Sequence, residues 1–529
     1  AKEKQDLDII GQFGVGFYSA FMVAAKVEVL TKTLDDKAYL FVSDGQESYS
    51  IEETKKDSVG TEITIFLKKS SKAEDYDGFL EEYRLQNLVK KYSDYIRYPI
   101  KMAVTKKEPK LDAEGKPIEG KYTDKKVVET LNSMIPLWKK NKSEVTKEEL
   151  NTFYKEKFYD YQDPATSLFI RVDGRITYDA LLYIPSHVPH NLYSDNYEKG
   201  LQLYSKGIFI KDKCAELIPD YMKFVKGLVD SANFSLNISR EMLQQSPILQ
   251  KISENIEKKI VAKLKNIKKK DFEKYTSFWK NFGEHIKYGL YATYGSKKEL
   301  LQDLLVFHSL NNGDNYISLS DYKAKMAKGQ KYIYYASGEN LDAIKLMPQI
   351  EKYKKADIDV LLLDQKIDEF AIMMLREFKK VEFKSISDET AAELTKEDQE
   401  KVEQITADNK RLLDTFKESL ADQVNDVIIS TKLVEAPVCF STKDGLSLEM
   451  EKTLNQQPGM GENVKAQKVL ELNPDHALFK AFAAIQDNDE LVKNYALILY
   501  EEAMLLEGHD ITDKQKFVEK INELLVKAL

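Results

Sequence analysis

The stretch Ile9-Ile10-Gly11-Gln12-Phe13-Gly14-Val15-Gly16-Phe17-Tyr18-Ser19-Ala20-Phe21 places three glycines close together and then enters an apolar, helix-compatible run. Because glycine has no Cβ, the backbone N–H groups can turn toward a ligand that approaches closely. A helix that begins next presents unpaired N–H groups and the positive end of its dipole, which suits a phosphate. The stretch is therefore a candidate phosphate-binding loop. A tight turn before a core helix is the alternative.

Working outward from this loop, we predict a helix over 16–25, several strands and a long helix over 73–97 that ends before Pro99. Period-two alternation and short turns predict the strands at 27–33, 39–43, 49–53 and 61–67. Because short links join these strands, we expect an antiparallel meander. Residues 1–104 thus resemble the second half of a domain that contains an antiparallel sheet and helices.

Residues 105–126 are rich in charge, proline and glycine and are predicted to be a short charged linker or the tip of a hairpin. Residues 127–384 are predicted to form an α/β middle domain, with strands at 167–172, 180–184, 201–206 and 207–210. Ser246-Pro247 opens a helix that has isoleucines about every fourth residue and lysines on its other face. The lysine face is either solvated or a polyanion site. Between 331 and 383, strands at 332–336 and 360–363 flank a helix at 341–354, which indicates a βαβ unit and a small parallel sheet.

Residues 385–410 are very polar and are predicted to be an exposed helix or linker, and residues 411–529 are predicted to be a mixed domain that ends in helices. Asn473-Pro474 is a helix start, and Thr512-Asp513-Lys514-Gln515 has the pattern of a capping box. The last helices carry broad apolar stripes. Those stripes could cover their own domain or could pair with a second copy of the chain.

Composition excludes several classes of protein. The 529 residues are 43% hydrophobic with a formal net charge of −8, which argues against disorder and against a general nucleic-acid-binding surface. Cys214 and Cys439 are the only cysteines, so no disulfide framework or cysteine-based zinc site is expected. His187 and His190 are a close pair, but Pro189 lies between them and no third ligand is near, so we expect no metal there. No apolar run is long enough to span a membrane.

A second motif lies just before the isoleucine-striped helix, at Leu236-Asn237-Ile238-Ser239-Arg240-Glu241-Met242-Leu243-Gln244-Gln245. An arginine on a loop that leads into a helix is well placed to reach a phosphate, because guanidinium offers rigid bidentate donors. A structural ion pair is the alternative role for Arg240.

These motifs, taken together, resemble the heat shock protein 90 chaperones, and most closely the bacterial form of that family. The matching stretches occur in the same order as in the family and are spread over essentially the whole chain. The matching stretches are Gly11–Ser19, Gly60–Glu62, Ile135–Trp138, Asp173–Gly174, Leu217–Pro219, Phe224–Ser231, Ser239–Gln244 and Glu471–Pro474. The resemblance implies a partial Bergerat-type ATPase domain, an α/β middle domain and a C-terminal dimerisation domain.

The resemblance also implies roles for individual residues. Backbone amides of the loop made of Gly11, Gln12, Phe13, Gly14, Val15, Gly16 and Phe17 would hold the phosphates of ATP. Thr61 would line the adenine end of the pocket, Arg240 would reach the γ-phosphate when the lid closes, and Gln244 would accompany it. An arginine that arrives from another domain would stabilise transition-state charge only in the closed state. The implied activity is ATP hydrolysis, with Mg²⁺ as cofactor of the full-length protein, coupled to lid closure, dimer clamping and the folding or remodelling of client proteins.

The chain also departs from the family pattern. The family's general-base glutamate, magnesium-binding asparagine, adenine-reading aspartate and Asp-x-Gly-x-Gly motif precede the glycine loop, and none of them is present in this sequence. We therefore expect an N-terminally truncated member that does not bind or hydrolyse ATP competently as given. Asn233-Phe234-Ser235 replaces a stretch that usually carries acidic residues and proline, and the end Val526–Leu529 lacks the acidic pentapeptide of eukaryotic members. Both the ending and the lack of a long acidic linker favour the bacterial type, and the low cysteine content fits a reducing, cytoplasmic location.

Partners follow from the same resemblance: unfolded or partly folded clients, a homodimer through the C-terminal domain, and neither nucleic acid nor membrane. Candidate client-binding residues are Trp138, Tyr159, Tyr161 and Phe209 in the middle region, and Met450 and Leu454 on an amphipathic helix. Methionine suits promiscuous apolar contacts because it is flexible and polarisable. Ordinary core packing is the alternative for each of these side chains.

Two other functions are alternatives to an ATP-driven chaperone. The first is an ATP-independent holdase or dimeric scaffold, which aggregation assays with and without ATP would distinguish. The second is a mismatch-repair or topoisomerase relative with the same nucleotide fold, which lacks a counterpart of the Ser239–Gln244 loop.

Overall fold

The computed structural model describes residues 16–34, 36–111, 117–234, 247–391, 396–443, 445–456, 464–511 and 513–528. Contacts divide the chain into two compact units. The first comprises Ala1–Pro185, Tyr193–Ile218 and Val225–Asn255, and the second comprises Ser186–Leu192, Pro219–Phe224 and Ile256–Leu529. Both units contain sheets and helices, which confirms the predicted mixed multidomain fold.

The first unit begins with a four-stranded antiparallel sheet. Its elements are α1 (Ala20–Val23), β1 (Ala24–Lys32), β2 (Ala38–Ser43), β3 (Tyr49–Thr54) and β4 (Gly60–Leu67). All four predicted strands are confirmed, but the strand order is β3-β2-β1-β4, so β4 pairs with the free edge of β1 instead of continuing a meander. The helix predicted over 16–25 is wrong in length, because a 3₁₀ turn occupies Gly16–Ser19 and the strand already begins at Ala24.

The next elements are α2 (Glu82–Tyr92), β5 (Lys101–Leu111) and β6 (Pro117–Thr130). The strands β5 and β6 pair as a long antiparallel hairpin. A charged linker over 105–126 is therefore wrong for the described residues, and the hairpin alternative is correct. Cross-strand ion pairs explain how so polar a sequence forms strands, since Lys106 contacts Glu129 and Lys125 lies 3.0 Å from Glu108.

A five-stranded sheet completes the first unit. Its elements are α3 (Lys147–Phe158), β7 (Thr166–Val172), β8 (Tyr178–Ile184), β9 (Leu201–Ser205), β10 (Ile208–Cys214) and β11 (Lys226–Asp230). The strand order is β10-β9-β11-β8-β7, and only β9 and β11 run parallel. An aromatic cluster of Trp138, Tyr95, Tyr154, Tyr183 and Tyr204 packs in the core around this sheet.

The second unit contains a six-stranded mixed sheet with helices on it. Its first elements are α4 (Pro247–Lys270, whose first residues belong to the first unit), α5 (Phe272–Ala292), α6 (Lys298–Leu301), β12 (Val306–Ser309), β13 (Tyr316–Ser318), α7 (Leu319–Lys325), β14 (Ile333–Ser337), α8 (Leu341–Lys345), α9 (Ile350–Lys355), β15 (Leu361–Leu363), α10 (Asp368–Leu375), β16 (Glu377–Phe378) and β17 (Val381–Ser385).

The predicted βαβ unit is confirmed, because β14 and β15 are parallel neighbours in the order β13-β12-β15-β14-β17-β16. Its helix is split into α8 and α9, since Pro348 lies between them. The isoleucine face of α4 is buried at Ile252, Ile256 and Ile260, as the spacing predicts. On its lysine face, Lys265 pairs with Asp303 at 3.0 Å, so that face is partly neutralised.

The C-terminal part of the second unit has its own small sheet and core. Its elements are α11 (Lys396–Asp408), α12 (Lys410–Ser419), β18 (Asp426–Ile429), β19 (Val438–Lys443), α13 (Leu448–Asn455), β20 (Gln467–Leu472), α14 (Ala477–Ala484), α15 (Asp489–Leu506) and α16 (Lys514–Ala528). The strand order is β18-β20-β19, and α12 and α15 pack on the sheet.

Two predicted helix starts in this part can be compared with the structure. The start predicted at Asn473-Pro474 lies a few residues early, since α14 begins at Ala477 and the Asn473 amide binds the carbonyls of Val434 and Ala436. Asp513 caps α16 by accepting a hydrogen bond from the Lys516 backbone N–H, whereas Thr512 lies outside the described residues.

Candidate nucleotide site and client surfaces

Most of the predicted phosphate-binding loop, Gly11 to Val15, lies outside the described residues. The structure describes its last two members. Gly16 begins the 3₁₀ turn and is exposed, and the Phe17 ring packs edge-on against Phe21 and Phe41. Phe17 is therefore held by aromatic contacts to the four-stranded sheet, and this contact fixes the C-terminal end of the loop.

Beside Phe17 lies a groove of about 540 Å³ that includes Phe41, Tyr49, Ser43 and Glu47 in its wall. This volume would admit a small-molecule ligand. No lysine or arginine contributes to the described wall of the groove, so these residues fit an apolar ring and do not fit a triphosphate. Gly11–Val15 and Arg240, which are predicted to contact phosphate, lie outside the described residues.

Thr61 is the second residue of β4 and is exposed. Its hydroxyl lies 2.8 Å from the hydroxyl of Thr31 on the neighbouring strand. Among the described residues, no hydrogen bond or ring contact joins Thr61 to Gly16 or Phe17. Its predicted place at the adenine end of a pocket remains a prediction.

Arg240 and Gln244 also lie outside the described residues, but the chain on both sides of them is well anchored. Before them, the Asp230 carboxylate at the end of β11 accepts hydrogen bonds from the Trp138 indole at 3.0 Å and from the Gly207 backbone N–H at 3.2 Å. Asn233 accepts a hydrogen bond from the Thr177 backbone N–H at 2.8 Å. After them, α4 begins at Pro247. The arginine segment therefore starts from a fixed strand end and leads into a long helix.

Asp230 is a buried, hydrogen-bonded residue near the predicted arginine segment that the sequence did not single out. It is fully buried, and Lys139 lies 3.4 Å from its carboxylate. The available signal was its position in the matching stretch Phe224–Ser231, a few residues before Arg240. A buried aspartate at a strand end requires partners, and Trp138, Gly207 and Lys139 supply them here.

The structure separates the middle-region aromatic candidates into buried and exposed side chains. Trp138 has no exposed surface, so its assignment as a client-binding residue is wrong: it is a core residue that binds Asp230. Tyr161 is 99% exposed and Tyr159 is 91% exposed, so both can reach a partner. Phe209 is half-buried against Tyr92 and Tyr204.

The amphipathic helix predicted to be exposed is α13, and the prediction is wrong for Met450, which is only 4% exposed. The reason is that Leu448 of the same helix packs into the C-terminal core and the Ser447 hydroxyl, at the helix start, is bonded to Glu369. Leu454 is half-buried. Of the two candidates, only Leu454 retains surface for a client.

The last helix, α16, has an uncovered apolar face. Val518 is 54% exposed, Leu525 is 57% exposed and Val526 is 75% exposed. Val518 and Leu525 are seven residues apart and therefore lie on one side of the helix. Lys520, by contrast, donates a hydrogen bond to Asn494 of α15 at 2.7 Å. The helix thus contacts α15 and still presents apolar side chains to solvent.

Ion pairs are deeply buried in the second unit. Lys432 lies 2.9 Å from Glu471, and both side chains are almost completely buried. Lys287 pairs with Asp368 in a similarly buried position. Such pairs stabilise a fold only when their remaining hydrogen-bonding groups are also satisfied. Here Ser430 donates to Glu471, and Lys432 also donates to the Asp388 carbonyl.

In the described part of the chain, no group of three or more histidine, cysteine, aspartate or glutamate side chains could hold a metal ion. The rings of His187 and His190 are 6.5 Å apart. No helix among the described residues is long and apolar enough to cross a membrane.

Comparisons with known proteins define the class. Residues 107–529 match the family model described as Hsp90 protein. The chain is 45% identical over 525 residues to the chaperone protein HtpG of Bacillus subtilis, which covers 99% of this chain and 83% of the relative. HtpG proteins of Clostridium perfringens and Oceanobacillus iheyensis are also 45% identical, over 99% of this chain and 82% and 83% of the relatives.

The chain therefore belongs to the Hsp90 family. Members of this family are ATP-dependent chaperones with ATPase activity, and the resemblance to the bacterial form inferred from the motifs is confirmed.

Proposed function

We propose that this chain, when the family's upstream segment precedes it, closes over ATP with Arg240 and handles unfolded client proteins as a homodimer. The observation that carries the proposal is the similarity to HtpG, which extends over 525 residues and thus spans both the glycine loop and the arginine segment. In this proposal the backbone amides of Gly11–Phe17 hold the phosphates, and Thr61 lines the adenine end of the pocket.

Arg240 would supply positive charge to the γ-phosphate, and Gln244 would accompany it on the same segment. The anchoring of Asp230 by Trp138 and Gly207 supports this role, because a phosphate-binding arginine needs a fixed starting point. Mg²⁺ would screen the phosphate charge in the complete pocket. Its family ligand, an upstream asparagine, is not among these 529 residues.

We infer that the 529-residue polypeptide alone hydrolyses ATP poorly. The family's general-base glutamate and adenine-reading aspartate are not among its residues. The test compares this polypeptide with a chimera in which the segment of Bacillus subtilis HtpG that precedes the match is joined to Ala1. We expect phosphate release from the chimera only, and robust turnover by the 529 residues alone would overturn the inference.

Client binding in this proposal uses the exposed aromatic side chains Tyr159 and Tyr161 together with Leu454. The exposure of Tyr159 and Tyr161 supports the assignment, since large exposed aromatic side chains suit transient contact with unfolded chains, and the half-buried Leu454 keeps part of its surface. The same exposed groups would also serve an ATP-independent holdase. Suppression of client aggregation that is equal with and without ATP would favour that alternative.

The homodimer would form through α16. Replacing Val518 and Leu525 with serine should weaken dimerisation at least about 100-fold. Each side chain occurs twice in a two-fold interface, and burying one such side chain contributes roughly 1.5–3 kcal/mol. Sedimentation velocity over a dilution series measures the dimer dissociation constant. The matched control is Glu523→Ser on the same helix, which is exposed and polar. Unchanged dimerisation of the double variant would exclude this face as the interface.

A further inference from the structure

A cavity of about 120 Å³ lies in the second unit where the parallel strands β14 and β15 end. Ser337 and Leu363 are the last residues of these strands and are paired in register. The connection from β14 leads to β15, its neighbour on one side. The connection from β15 leads back past β14 to β17, the neighbour of β14 on its other side. In open α/β sheets, ligands bind outside the carboxyl ends of the strands where the direction of winding reverses in this way.

The cavity has a polar mouth and a buried floor. Glu339, Lys366 and Gln456 at the mouth are exposed, whereas Glu369, Met450 and Thr453 are buried. Helix α13 forms one wall, and two contacts cross the mouth from it. Lys452 lies 3.3 Å from Glu339, and Lys366 donates to Gln456 at 2.8 Å. Both lysines of the wall therefore already have partners.

Acceptors, in contrast, remain available. Glu369 is 5% exposed and lines the cavity, and its Oε1 atom is buried with no hydrogen-bond partner in the described structure. Its other oxygen accepts a hydrogen bond from Ser447. Asp364 and Glu449 also line the cavity, and neither carboxylate forms a hydrogen bond or ion pair within the described residues. An unpartnered buried carboxylate oxygen is costly, so a ligand that donates hydrogen bonds would stabilise it.

We propose that this cavity binds a small alkylamine through its primary ammonium group. An ammonium carries three N–H donors, which suit the Oε1 atom of Glu369 and the carboxylates of Asp364 and Glu449. A divalent metal fits less well, because the described residues contain no group of three ligands placed to coordinate one. The cavity is large enough for several non-hydrogen atoms, since a single water requires only about 10–15 Å³ by this measure.

Proton linkage distinguishes this site from non-specific binding to acidic residues. Burial raises the pKa of Glu369 to about 7, opposed by the hydroxyls of Ser447 and Ser337. The charged and titratable groups nearest to it are Glu449 on α13, Asp368 with its partner Lys287, and Tyr335 on β14. The cavity that it lines also contains Glu339, Asp364, Lys366 and Lys452. An ammonium would favour the ionised form, so binding near pH 7 should release a proton.

Isothermal titration calorimetry of 1,4-diaminobutane into the 529-residue chain tests the proposal, in 200 mM salt and in two buffers of different ionisation enthalpy. We expect a dissociation constant of about 1 mM or tighter and release of a fraction of a proton. Glu369→Gln should weaken binding at least tenfold and abolish the proton release, while keeping an acceptor for Ser447. Glu449→Gln, which leaves the floor intact, should weaken binding severalfold.

The matched control is Glu403→Gln, an exposed carboxylate on α11, which should bind as the parent does. Nα-acetyl-lysine amide mimics the lysine side chain of a peptide. We expect 1,4-diaminobutane to bind more tightly than this mimic, which would identify a free amine as the ligand. Equal affinity of Glu369→Gln and the parent, or competition by Mg²⁺ at the same site, would overturn the proposal. So would the absence of binding heat up to tens of millimolar amine.

Discussion

Replacing Arg240 with alanine should lower the kcat for ATP hydrolysis about 10²- to 10³-fold in the chimera that carries the upstream segment. The guanidinium is proposed to meet charge that develops on the γ-phosphate, and alanine leaves that charge without a partner. Steady-state phosphate release at saturating ATP measures the effect. KM should change much less than kcat, because the contact is made in the closed state and not on first binding.

Two variants make this test specific. Arg240→Lys keeps the charge but loses the bidentate geometry, so it should recover only part of the rate. Lys251→Ala removes an exposed cation from the start of α4, a short distance along the chain, and should leave kcat unchanged. If Arg240→Ala turned over ATP at the parent rate, Arg240 would have the alternative role of a structural ion pair.

Replacing Lys432 with methionine should lower the free energy of unfolding by about 3–5 kcal/mol. The substitution leaves the Glu471 carboxylate in a buried position with no counter-charge, although Ser430 still donates to it. Urea denaturation followed by circular dichroism measures the loss. This is a large part of the roughly 5–15 kcal/mol that stabilises a typical domain.

The double variant Lys432→Met, Glu471→Gln is the control for this prediction, because it removes both charges and should be more stable than Lys432→Met alone. Lys417→Met is a second control. It breaks a pair with Asp426 at 2.9 Å that is largely solvated, and it should cost less than about 1 kcal/mol. If the two lysine variants lost similar stability, burial of the Lys432 pair would not be the cause.

The sequence predicted local structure well where periodicity was strong. Alternation located all four strands of the first sheet, and the isoleucine spacing located the buried face of α4. A period-two pattern does not identify the neighbours of a strand in its sheet. The pairing of β4 with the free edge of β1 could therefore not be predicted from it. The hairpin of β5 and β6 could not be distinguished from a linker in the sequence, because the side chains that pair across it are charged and charged residues are also typical of linkers.

The site predictions failed where burial depends on residues distant in sequence. Trp138 bonds to Asp230, which is 92 positions away, and this contact converts an aromatic candidate for client binding into a core residue. Met450 is buried because its helix is held at Ser447 by Glu369, 78 positions earlier. Residue type alone could not reveal either contact. The family resemblance remains the basis for the roles of Gly11–Val15 and Arg240, which lie outside the described residues.

The central claim is that chaperone activity depends on ATP through the arginine segment. The most direct measurement is recovery of a heat-unfolded reporter enzyme by the chimera, with and without ATP, alongside its Arg240→Ala variant. We predict that ATP increases recovery for the parent chimera and has no effect on the variant. Equal recovery by the parent chimera with and without ATP would contradict the claim and would identify an ATP-independent holdase.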